Sequence, residues 1–227
     1  MNEVILIYVV TLLLAWPLGL YIAKIYQQDT APLDSVFLPV EKGLYRLIGA
    51  NPSQDMHWKH YFKVLLVFHA FLALAVFLIL RFQGDLILNP DQVPNMSWDL
   101  AFHTALSFLA GADQQHYSGQ AQLSHLAQGT GLVTMQFVAP AAGIAILFAI
   151  LRVLFKKTDK VSQGYVGNFY QDLVRAIVRI LLPLSIVLSI VLTSQGVPSS
   201  YEAAKQVSTL ETSEEQVIPL GPVSPMV

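Results

Sequence analysis

Of the 227 residues, 54% are hydrophobic and 12% charged, and the mean hydropathy is +0.54, whereas soluble domains carry a charged share of about 25%. A formal net charge of −2 leaves no footprint for nucleic acid. The absence of cysteine excludes a disulfide framework and a zinc-thiolate site.

Four apolar runs reach or approach the roughly 20 residues a helix needs to cross the hydrocarbon core: residues 4–23, 64–80, 132–151 and 176–193. The first, VILIYVVTLLLAWPLGLYIA, lacks a basic leading segment and exceeds a typical signal-peptide core, so it reads as a retained span. His69, inside the second, is expected to hydrogen-bond within the bundle rather than relay protons. The fourth contains Arg179, near enough to an interface to snorkel, and Pro183, which a span tolerates when a neighbour satisfies the freed carbonyl.

Between the second and third runs, SWDLAFHTALSFLA (residues 97–110) has helical character. Ser97 is a candidate N-cap, Asp99 lies in the first turn, and Leu100, Thr104 and Phe108 share a face. About 13 residues at 1.5 Å each extend only some 20 Å, too short to cross. A short helix entering the bilayer leaves its carboxyl end, with its partial negative charge, near mid-membrane, where it favours a cation. AGADQQHYSG follows, and irregular backbone at that depth must be buried in protein or line an aqueous path. Ala110, Gly111 and Ala112 are small enough for the chain to present its carbonyls, as the rings that hold dehydrated cations do. An amphipathic helix resting on the interface has similar composition and is the competing reading.

Orientation follows from Lys and Arg, which favour cytoplasmic loops. Residues 24–63 and 152–179 hold 11 of the 13 basic residues. This places the amino terminus, residues 81–131 and residues 194–227 outside. Lys156, Lys157 and Lys160 read as topology control, with attraction to anionic lipid or a cytoplasmic partner as the alternative. The tail, with Glu202, Glu211, Glu214 and Glu215, reads as solvated, in reach of a partner's outer domain. Two histidine pairs, His57 with His60 and His116 with His125, could hold a transition metal. Without a carboxylate or cysteine at matching spacing, interfacial hydrogen bonding and pore-loop support are the preferred readings.

The ordered series WPLG, VEKGLYRLIG, DMHWKHY, LNPDQVPNMSWDLAFHTALSF, YSGQAQLSHLAQGTGL, AAGIAILFAILR, GNFYQDLVR and LGPV runs along nearly the whole chain. Through it the sequence resembles the KdpA family, potassium-binding subunits of bacterial Kdp P-type ATPases and relatives of potassium channels. The resemblance implies an all-α membrane protein with about four transmembrane helices, one re-entrant pore helix and a filter-like loop. It divides the chain into an extra amino-terminal helix with a cytoplasmic loop (1–60), a first membrane-pore-membrane repeat (61–152), and a second loop, helix and extracytoplasmic tail (153–227). In this reading the chain ends at Val227, ahead of a second pore helix.

The family filter, close to TNTNWQSYSG, here reads AGADQQHYSG. Gln115, Tyr117, Ser118 and Gly119 are retained as filter support, while Ala110, Gly111, Ala112 and Asp113 occupy the ion-facing positions. His69 and His103 also stand where the family tends to carry Asn. The implied function is potassium binding in the bacterial inner membrane, with the potassium ion as the bound species. ATP hydrolysis is expected in a separate KdpB-type subunit, with KdpC-type and small KdpF-type subunits and membrane lipid as further partners and no nucleic acid. No phosphate loop or nucleophile–base pair makes the chain itself a catalyst. The altered filter motivates the alternative of a non-conducting module that regulates or assembles with a full-length relative.

Overall fold

A computed structural model of the protein describes residues 2–27, 31–155, 159–197, 200–208, 215–218 and 220–221. Helix α1 (Asn2–Gln27) is the first of four helical stretches long and apolar enough to cross a membrane. Its amino-terminal half is exposed, and only its far end packs, where Ile25 is buried beside Ile180. Helix α2 (Asp34–Leu47) is short and amphipathic, burying Glu41 and Tyr45. Strand β1 (Met56–His57) leads into α3 (Trp58–Arg81), the second stretch. His57 occupies the N-cap of α3, its Nδ1 accepting the Lys59 N–H at 3.3 Å.

Helix α4 (Trp98–Leu109) and the single turn α5 (Gly119–Gln122) fill the connection to the third stretch. That stretch begins as a π-helical turn, Ala127–Val133, and continues as α6 (Thr134–Phe155). A turn α7 (Asp159–Ser162) and strand β2 (Tyr165–Gly167) precede the fourth, built of α8 (Phe169–Arg175), a π turn Ala176–Leu181 and α9 (Leu182–Ser194). Strands β3 (Lys205–Ser208) and β4 (Glu215–Ile218) form an antiparallel pair in the tail.

The loop face that carries most basic residues is held by polar contacts. Strands β1 and β2 pair antiparallel, with Met56 opposite Gly167. Asn168 caps α8 and donates to the carbonyls of Asn51 and Gln54, and Lys160 pairs with Asp55 at 2.9 Å. Lys156 and Lys157 lie outside the described residues. Beneath this sheet Arg152 grips Asp172 with both guanidinium branches, at 2.7 and 2.6 Å, and Tyr61 donates to Asp172 at 3.2 Å. The same Arg152 donates to the Val166 carbonyl at 3.1 Å. A Cβ at Gly167, where φ is +106°, would collide with that guanidinium, so the crossing needs glycine.

Arg179 is a correction to the snorkelling expectation. It is buried, 4% exposed, and pairs with Glu41 and Asp34 of α2. Burial of a guanidinium is tolerable only with such partners, and the result is that α2 is bolted to the fourth stretch. Pro183 cannot donate to the Arg179 carbonyl four residues earlier. The Tyr21 hydroxyl of α1 donates to that oxygen instead, at 3.0 Å, so the neighbour expected from sequence exists. His69 is satisfied within its own helix, Nδ1 lying 2.8 Å from the Leu65 carbonyl, rather than across the bundle.

The two largest apolar clusters among the described residues hold the helices together. Towards the basic face, Ala141, Ala142, Ala145 and Ala149 of α6 let Phe169, Leu173 and Tyr61 approach closely. Towards the opposite face, Ala101, Ala105 and Phe108 of α4 pack on Val76 and Leu80 of α3 and on Leu132 and Met135 of the third stretch.

Candidate functional site

The position of α4 is set by the loop before it. Gln83 is buried, and its amide donates to the carbonyls of Pro94 (3.0 Å) and Gln122 (2.8 Å) while its oxygen accepts the Ser124 N–H (3.1 Å). Asn89 closes the 89–93 turn through both ends of its amide, and Arg81 donates to the Met96 carbonyl at 3.3 Å. These bonds fold residues 82–97 back onto the end of α3 and aim α4 into the space between α3 and α6. Its 12 residues extend about 18 Å, well short of the roughly 30 Å hydrocarbon thickness of a bilayer. Leu100, Thr104 and Phe108 line its inward side, Thr104 and Phe108 fully buried, as their spacing predicts. Ser97 holds the N-cap position, but its side chain makes no capping bond to the helix backbone.

At the carboxyl end the chain turns sharply. Gly111 and Asp113 both take left-handed backbone conformations, φ +68° and +48°. Glycine adopts this at no steric cost and aspartate at a small one. Ser107 gathers the donors of the turn: its carbonyl accepts the N–H of Ala112 at 3.0 Å and of Asp113 at 3.4 Å, and its hydroxyl accepts that of Gln114 at 2.7 Å. Among the described residues, the backbone oxygens of Ala110, Gly111, Ala112 and Asp113 accept no hydrogen bond. The turn thus points donors into protein and leaves acceptors free. Four free carbonyls beside the carboxyl end of a helix are a cation-attracting surface.

The four support positions behave differently from one another. Tyr117 is half-buried against the α4 cluster. Ser118 and Gly119 open α5 and accept backbone N–H groups, and Gly119 also accepts from the Gln128 amide at 3.3 Å. Gln115 is exposed. Sequence reading missed Ser107, whose one signal was a small hydroxyl residue on the inward face of the predicted helix.

The histidine pairings are also rearranged. His57 is a helix cap, and His116 lies against His103 rather than His125. His125 is buried with Nε2 3.9 Å from Asp91, a carboxylate that spacing did not suggest. Asp91 also accepts the Ala204 N–H at 2.8 Å, which fastens the tail to this loop. In the tail, Glu202 pairs with Lys205 at 3.2 Å and Glu215 is exposed in β4, whereas Glu211 and Glu214 lie outside the described residues.

Four apolar helical stretches, with the shorter helix α4 and its turn of free carbonyls packed among them, define a multi-pass helical membrane protein. The family model of the potassium-transporting ATPase A subunit, KdpA, matches residues 5–227. Among its relatives are potassium-transporting ATPase potassium-binding subunits of Listeria welshimeri, 44% identical over 216 residues, and of Alicyclobacillus acidocaldarius, 40% identical over 228. The first alignment covers 95% of this chain and 38% of the relative, the second 99% and 40%. One from Clostridium botulinum is 40% identical over 223 residues, covering 95% of this chain and 38% of its own length. The chain belongs to the KdpA family, and it spans about two fifths of the length of the curated relatives it matches.

Proposed function

We propose that this chain supplies extracytoplasmic potassium binding and passage in a Kdp-type, ATP-driven uptake pump. The backbone oxygens of Ala110, Gly111, Ala112 and Asp113 face the ion, and Gln115, Tyr117, Ser118 and Gly119 support the loop. The observation that carries this reading is the one-sided turn, with the N–H groups of residues 112–114 bonded to Ser107, those of Ala110 and Gly111 to Leu106 and Phe108, and its four carbonyls left free. Family membership agrees with it, since the relatives are named potassium-binding subunits.

One loop offers oxygens from one side of an axis, and a dehydrated cation is held by several such loops. The first membrane-pore-membrane unit, residues 61–152, therefore acts together with further pore segments, with 1–60 as the extra helix and its loop and 153–227 as the start of the next unit. ATP hydrolysis falls to a KdpB-type subunit, with KdpC-type and KdpF-type companions. In this reading the protein sits in the bacterial inner membrane, and the concentration of 11 of 13 basic residues in residues 24–63 and 152–179 favours an amino terminus outside.

The test is co-purification of the protein with its P-type ATPase subunit, followed by potassium-stimulated ATP hydrolysis and rubidium uptake in liposomes. Potassium-dependent hydrolysis is the expected result. Absence of any association with a pump subunit rejects the reading.

A further inference from the structure

Two imidazoles meet beside the loop, outside the four carbonyls. His103 of α4 and His116 have ring centres 4.7 Å apart and planes inclined at 54°. The Nδ1 of His103 is buried and, among the described residues, has no hydrogen-bond partner, while His116 is exposed. Neutral imidazole nitrogens in this state are ligands for borderline transition cations. With metal–nitrogen bonds of about 2.0–2.1 Å, each ring centre stands about 3.2 Å from the metal. Two imidazoles bound at angles from a right angle to tetrahedral then have centres roughly 4.5 to 5.2 Å apart. The observed separation of 4.7 Å lies within this range.

We propose that His103 and His116 form a two-imidazole site for a divalent transition cation, completed by water on the exposed side of His116. It does not depend on the potassium reading, because a hard monovalent cation takes oxygen ligands and leaves imidazole free. Metal bound there bridges the pore helix to the loop and fixes the segment from Leu109 to Gln115. Of the other histidines, His57 Nδ1 accepts the Lys59 N–H, His69 Nδ1 lies on the Leu65 carbonyl, His125 sits beside Asp91, and His60 is exposed in the first turn of α3, one turn from His57. Among the described residues no cluster of three or more metal-binding side chains competes.

Cu2+ titrated into the tag-free full chain in lipid nanodiscs at neutral pH, followed by electron paramagnetic resonance, tests the site. One equivalent should bind with superhyperfine structure from two nitrogens. His116→Asn and His103→Asn should each weaken binding at least tenfold and reduce the pattern to one nitrogen, whereas the His57→Asn/His60→Asn double variant keeps both. His116 is exposed, so its variant folds regardless of any role His103 has in packing. A two-nitrogen spectrum that survives His116→Asn, or that disappears in the His57/His60 variant, overturns the proposal.

Discussion

The hydroxyl of Ser107 accepts the N–H of Gln114 at 2.7 Å, so one side chain on α4 fixes where the loop leaves it. The Ser107 carbonyl holds two more donors of the same turn. Replacing Ser107 with Ala deletes only the hydroxyl bond and leaves the Gln114 N–H without its protein partner, at a cost of about 1 kcal/mol. If the free carbonyls bind the ion, this loosening should raise the half-saturating potassium concentration of the assembled pump roughly fivefold. Unchanged potassium dependence in Ser107→Ala would separate the turn from ion binding.

Arg152 and Asp172 make a different kind of prediction because Asp172 is buried and Arg152 only slightly exposed. Removing one member of such a pair leaves an uncompensated charge and costs about 3–5 kcal/mol, whereas replacing both with apolar groups is far milder. Arg152→Met should therefore destabilise the protein more than Arg152→Met combined with Asp172→Leu. Unfolding in mixed micelles measures the order, and a double variant worse than the single one contradicts it. The Tyr61 hydroxyl also donates to the Ala145 carbonyl at 2.9 Å, so it keeps a partner when Asp172 is lost.

The spans were legible in the sequence because hydrocarbon demands long apolar runs. Their ends were not, because the polar starts of two stretches are helical for reasons remote in sequence. Phe169–Arg175 continues the fourth stretch because Asn168 caps it and Arg152 neutralises Asp172. Helix α4 was readable from its inward spacing, but the sharp turn after it was not, because the small residues 110–112 suit an extended, carbonyl-presenting backbone as well as a left-handed one. The role of Ser107 and the meeting of His116 with His103 depend on two left-handed residues that redirect the chain, a geometry that spacing does not encode. Helix α2 went unread although Glu41 and Tyr45 mark its buried side, since a charged residue becomes a core residue only once Arg179 reaches it.

Acid should release α2. The Ala31 N–H, donating at 3.0 Å, and then the Arg179 guanidinium hold the Asp34 carboxyl below the usual carboxylate range. A folded value lower than the unfolded one gives stabilisation that is complete above the unfolded value and is lost as pH falls through the folded one. Docking of α2 should thus be constant from neutral pH to about pH 4 and loosen below it. Amide hydrogen exchange along residues 34–47 reports this, with Asp34→Asn showing a smaller acid response than the native protein. Identical acid profiles for the two proteins would remove Asp34 from the account.

The protein contains no cysteine, so single introduced thiols report topology without background. Ser53, on the basic face, and Ala203, in the tail fastened to Asp91, are both exposed and lie at opposite ends of the helices. Basic loops remain cytoplasmic because Lys and Arg near a span resist translocation. A membrane-impermeant maleimide applied to intact spheroplasts should therefore label Ala203→Cys and spare Ser53→Cys until the membrane is opened. The reverse pattern would put the pore helix on the cytoplasmic side, with its carboxyl end and the carbonyls of residues 110–113 approached from within, which is incompatible with uptake of an ion first captured outside.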